Sequence, residues 1–201
     1  MSASSPDLRT RRRLATEQDL HEAALTLMAD RGFAATTVDE IVAAAGVSQR
    51  TFFRYFATKE DAVLLGYRAL DDALDTLDIP ADPHSALEAL LTFHEEQIDQ
   101  LTHDDVGRYV TLQRLISTES ALRDAVAARE LASMERLRIR LDAGLPGDQP
   151  LASRLIAEIA TAILRVTFDH WRSQPDCSVS TLPRLYRDVR ALAQGLVTPA
   201  I

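Results

Sequence analysis

The stretch TTVDEIVAAAGVSQRTFFRYFATKEDAV, residues 36–63, limits the possible folds of this chain more than any other. Thr37 followed three residues later by Glu40 has the spacing of a capping box, in which side chain and backbone satisfy each other at a helix start. Gly46 suits the left-handed backbone that closes a helix. Ser48 is placed to cap a second helix, and Thr58 with Asp61 to open a further one. Two short helices joined at one glycine fit a helix-turn-helix, whose first helix crosses a nucleic-acid backbone and whose second presents its first turn to base edges. Ile41, Val42 and Ala45 face inward, small alanines allow close approach, and Val47 plugs the space beneath the turn.

The rest of the chain points to an all-α fold. Alternating apolar runs of the strand type are nearly absent, while apolar residues recur at three- and four-residue spacing. Leu20, Ala24, Leu27 and Met28 mark a first helix that Gly32 ends. From Thr58 a long fourth helix carries Val63, Leu64, Tyr67, Leu70 and Leu74, until Pro80 and Pro83 break it. Later segments bring the expectation to about nine helices. The expected organisation is a flexible basic arm over 1–15 and a helix-turn-helix domain over 16–60. A larger helical domain is expected over 61–201.

The net charge of −8 is unusual for a nucleic-acid binder, but its distribution resolves the conflict. Residues 1–60 hold eight basic and eight acidic side chains; residues 61–201 hold the other 14 (22 − 8) and 22 (30 − 8). A neutral head can face phosphates while an acidic body discourages indiscriminate adhesion. Arg11, Arg12 and Arg13 suit either an arm reaching DNA or a disordered tail. No apolar run has the length of a membrane span, and no signal-peptide-like stretch follows the arginine cluster, so a cytoplasmic protein is expected. The lone Cys177 excludes an internal disulfide and a cysteine-based zinc site.

Four residues open the second helix of the motif: Ser48, Gln49, Arg50 and Thr51. Arginine suits guanine, glutamine suits adenine, and threonine suits a base edge or a thymine methyl. Phe52 and Phe56, four apart, read as core anchors. Arg54 fits either a surface ion pair or DNA.

On these residues the segment resembles the N-terminal domain of TetR-type transcriptional regulators. It departs mildly from that pattern, with Val42 where alanine is usual and Phe53 where tyrosine is usual. The missing hydroxyl leaves Phe53 to pack on a sugar or a thymine methyl. The resemblance implies phosphate contacts from Thr37, Tyr55 and Lys59, the last being the only lysine in the chain. It also implies a ligand-sensing core and a dimer interface in the larger domain.

In that domain the segment from Leu151 to Trp171 is apolar well beyond one stripe, and the last helix presents Leu182, Leu185, Tyr186, Val189, Leu192, Ala193 and Leu196. Paired with their symmetry mates these two helices would make a four-helix, twofold homodimer interface. Its two recognition helices would meet successive turns of a pseudopalindromic double-stranded operator. A pocket for a small apolar or amphipathic effector is expected among Phe93, His94, Gln97, Tyr109, Leu112, Gln113 and Phe168. Taken singly, Phe93 and Tyr109 fit plain core, and His94 a surface neighbour of Glu95, better than they fit a pocket wall. No metal or other cofactor is expected, because His94, Glu95 and Glu96 are adjacent and point apart on a helix. No nucleophile motif or glycine-rich phosphate loop supports an enzyme. The expectation is a ligand-released repressor, with an activator or a non-sensing constitutive regulator as the alternative.

Overall fold

The computed structural model describes residues 8–101, 106–147, 150–174 and 178–197, and the helical expectation holds throughout them. Among the described residues ten α-helices follow one another: α1 (Leu8–Arg31), α2 (Val38–Ala44), α3 (Gln49–Tyr55), α4 (Lys59–Val63), α5 (Leu65–Thr76), α6 (Pro83–Leu101), α7 (Val106–Thr118), α8 (Ser120–Gly144), α9 (Pro150–Ser173) and α10 (Leu182–Val197). A 3₁₀ turn, Val179–Thr181, leads into α10. Cys177 lies outside the described residues.

The count exceeds nine because the expected fourth helix is two. Leu64 leaves helical geometry at φ −94° and ψ 23°, dividing α4 from α5. The carbonyl of Ala62, just before the break, accepts a hydrogen bond from His21 Nδ1 on α1 at 2.9 Å. A tertiary donor thus meets a backbone acceptor at the point where the helix is interrupted, as a buried carbonyl requires. Pro83, read as a breaker, is the first residue of α6, where its missing N–H is no loss. Asp82 accepts from the Ser85 N–H at 2.8 Å there, which holds its carboxyl below the usual range. A further correction concerns the N-terminus: the expected flexible arm is helical from Leu8 onward, so Arg11, Arg12 and Arg13 stand on α1.

The chain divides into two compact units. One runs through Arg68 and includes 114–125; the other comprises 69–113 and 126 onward. The first therefore extends past the expected boundary at residue 60. Ala62, Val63 and Leu64 are buried there, as are Leu20, Ala24, Met28, Ile41 and Phe52. Helix α1 packs on α2 and on α4, and α2 packs on α3. In the second unit α9 packs on α10 and α6, and α6 on α10. Its core includes Leu90, Leu91, Ile98, Leu141, Trp171 and Tyr186. The two polar tips in that core find carbonyls: Trp171 Nε1 donates to Ser178 at 3.0 Å and Tyr186 Oη to Leu91 at 2.9 Å. This pairing lets large amphipathic rings be buried without an orphan donor. Burial raises the Tyr186 phenol far above its ordinary pKa.

Candidate DNA-binding surface

The turn between α2 and α3 is built as its local chemistry dictates. Thr37 Oγ1 accepts from Glu40 N at 3.3 Å, while Glu40 Oε2 accepts from Thr37 N at 2.9 Å, closing the capping box. The Thr37 bonds, more than the nearby Arg31, hold the Glu40 carboxyl below its usual range. Gly46 has φ +67°, which a Cβ would strain. Its N–H reaches Ala43 O at 3.3 Å, and Val47 N reaches Val42 O at 3.0 Å. Those two bonds are the Schellman pair, so the last carbonyls of α2 are satisfied as the chain reverses. Ser48 then caps α3, accepting from Thr51 N at 3.2 Å.

Helix α3 has two contrasting sides. Phe52 and Phe56 are buried, as their spacing suggests, and their rings lie 5.7 Å apart. Gln49, Arg50, Phe53 and Arg54 are exposed, and Phe53 keeps 56% of its surface in solvent. Tyr55, half-buried, accepts from Arg54 Nη2 at 2.9 Å, with the guanidinium also 4.7 Å from its ring centroid. A polar and aromatic face on a helix whose other side is pinned in the core can enter a groove without disturbing the fold.

Two partnerships are not visible in the sequence. Gln49 Nε2 donates to Asp39 Oδ1 on α2, which orients the amide, since a carboxylate can only accept. Lys59, for which the resemblance implies a phosphate contact, also has partners within the protein. Its Nζ donates to Phe33 O at 2.7 Å and Thr36 O at 2.8 Å, and lies 4.1 Å from the Phe33 ring centroid. Two of its three donors are held by the corner between α1 and α2, which leaves one N–H for a further acceptor. A cation 23 and 26 residues from its acceptors leaves no local signal that could have revealed this.

The seven residues expected around an effector all fall in the second unit. Phe93, His94, Leu112 and Gln113 are buried; Gln97, Tyr109 and Phe168 are half-buried. Tyr109 and Phe168 approach with ring centroids 6.4 Å apart, and Tyr109 also faces Trp171 at 6.0 Å. Gln113 Oε1 accepts from Arg172 Nη1 at 3.1 Å. His94 Nδ1 is buried without a hydrogen-bond partner among the described residues, and burial lowers its pKa to about 4. A cleft of about 200 Å³ in this unit lies elsewhere, between Leu77, Ile79, Pro80, Arg140 and Leu145, and none of the seven lines it.

An all-helical chain that sets a capped, glycine-turned helix pair before an exposed reading face defines a helix-turn-helix transcriptional regulator. Residues 20–64 match the family model for bacterial regulatory proteins of the tetR family. Over 152 residues, 72% of each chain, the protein is 30% identical to the HTH-type transcriptional regulator BetI of Rhizobium meliloti. It is 28% identical over 200 residues to the HTH-type transcriptional repressor KstR2 of Rhodococcus jostii, covering 90% of this chain and 91% of that one. Its fold is similar to that of the fatty acid degradation regulator FadR of Bacillus halodurans, with a TM-score of 0.57 at 21% identity, covering 99% and 100% of the two chains. The chain belongs to the TetR family, a family of DNA-binding regulators and not of enzymes. Among the described residues no helix is long and apolar enough to cross a membrane.

Proposed function

We propose that this regulator is a homodimeric repressor that leaves a pseudopalindromic operator when a small apolar or amphipathic molecule binds in its second unit. The observation that carries the reading is the apolar surface of α9 and α10. Leu151, Leu155 and Val166 on α9, and Leu192 and Leu196 on α10, are exposed, Leu151 at 81% and Leu196 at 79%. They form rows with Ile159 and with Leu185 and Val189, at the three- and four-residue spacing of one helix side. Two such helices pair with their copies about a twofold axis, and the pairing brings two recognition helices to one duplex.

On each helix Arg50 and Gln49 read base edges, helped by Thr51 and by Phe53 against a thymine methyl or sugar. Thr37, Ser48 and Tyr55 face phosphates. The effector part rests on His94, a buried neutral imidazole whose unsatisfied nitrogen gains most from a ligand's polar group. Phe93, Tyr109, Leu112 and Phe168 supply apolar wall, and Gln97 and Gln113 further polar groups. Repression follows the activity named for the relative KstR2.

The direct test is footprinting and transcription in vitro on the promoter flanking this protein's own gene. A protected inverted repeat with transcription reduced, and both effects reversed by an apolar effector, supports the proposal. Protection with increased transcription makes the protein an activator. Protection that no effector in a broad apolar library disturbs makes it a constitutive regulator.

A further inference from the structure

Helix α3 has only seven residues, too few to hold a direction by itself, so its angle depends on the buried Phe52 and on what secures each end. Ser48 secures the start. At the other end one guanidinium makes three contacts. Arg68 Nη1 donates to the carbonyl oxygen of Tyr55, the last residue of α3, at 3.3 Å. Arg68 Nη2 pairs with Glu17 Oε2 on α1 at 3.1 Å, and its Cζ lies 5.4 Å from the centroid of Phe56. Glu17 is an unusual partner, because its side chain is only 8% exposed although it is ionisable. Such a carboxylate is retained in a small helical unit only where a cation meets it.

One turn further along α1, His21 holds the Ala62 carbonyl ahead of the α4–α5 break. Glu17 and His21 thus grip the chain on both sides of that break. Arg68 carries the grip to the end of the recognition helix, where the helix dipole favours a cation.

We infer that Arg68 is a positioning residue for DNA recognition: it fixes the angle at which α3 is offered to the groove. Its two arms have separable duties. The arm on Glu17 neutralises a buried charge and stabilises the unit, while the arm on Tyr55 O orients α3. Lysine can supply the first and, lacking the planar fork, cannot supply both together. The inference needs only that α3 reads DNA; it does not depend on repression or on an effector.

The experiment uses the full chain and a duplex selected by the wild-type protein from a random pool. It measures specific affinity, affinity for unrelated duplex, and the thermal midpoint. Arg68→Lys is expected to melt close to wild type and to bind unrelated duplex equally well. Its affinity for the selected duplex should fall by about tenfold or more, the scale of one hydrogen bond from a charged donor. The exchange Glu17→Arg with Arg68→Glu should recover melting relative to Arg68→Met without recovering specific affinity, because glutamate cannot donate to Tyr55 O. Wild-type discrimination in Arg68→Lys would overturn the inference. So would recovery of specificity by the exchange, since that would show that the ion pair alone matters.

Discussion

Lys59 Nζ donates to the carbonyl oxygen of Thr36 at 2.8 Å, tying the first residue of α4 to the residue just before the α2 cap. With the second bond to Phe33 O, the chain's one lysine becomes a clip on the corner that sets where α2 begins. Replacing it by methionine keeps the stem over the Phe33 ring and leaves two carbonyls without their charged donor. Lys59→Met should therefore lower unfolding free energy by about 1–3 kcal/mol in urea titrations. The slope of log affinity against log salt should not change. A fall in that slope of about 1.8, about 0.9 for each of the dimer's two copies, would instead mean that the ammonium meets a phosphate.

Arg50 is exposed in the first turn of α3, where a guanidinium can reach a guanine edge. Arg50→Ala should weaken specific binding by about 1–3 kcal/mol per half-site and relax base preference at one position in each. Selection of binding sites by both proteins from one random pool checks this. Identical preferences would remove α3 from the groove, or at least remove this residue from base reading.

Leu192 and Leu196 are adjacent on the exposed row of α10. Leu192→Glu with Leu196→Glu should convert a micromolar dimer into a monomer with little change in helix content, because neither side chain belongs to the buried core. Sedimentation equilibrium reads the mass directly. A wild-type protein that sediments as a monomer would show that this surface is covered in another way.

His94 gives the stability a definite pH dependence. Its pKa is about 4 in the folded protein, held down by burial, against an ordinary 6.5. Between those values the unfolded chain binds more protons than the native one, so stability rises with pH in that window and is lost as pH falls. Going from about pH 7.5 to about pH 5 should cost about 2 kcal/mol through this group. His94→Leu should flatten the urea midpoint over that interval. If the slope survives the substitution, other groups produce it.

The helix-turn-helix was legible because each of its signals acts over three to five residues. Thr37 with Glu40, Gly46 between Ala45 and Val47, and Ser48 with Thr51 form the bonds their spacing suggests. Phe52 and Phe56 are buried for the same local reason, being one turn apart on the side of α3 away from solvent. The helical class of the larger unit was legible from periodicity, which records how each helix faces its core.

Other features required partners far along the chain. The break at Leu64 has no proline to announce it; it coincides with His21, 41 residues before Ala62, donating to the interrupted backbone. Lys59 is clipped to its corner because Phe33 and Thr36 bring two carbonyls to it, and Gln49 is oriented by Asp39 ten residues earlier. His94 is neutral because burial removes its water, which no neighbour in sequence reveals. Hydrogen bonds within a turn are determined by residue spacing. Desolvation and long-range pairing depend on which surfaces meet, and only the folded chain decides that.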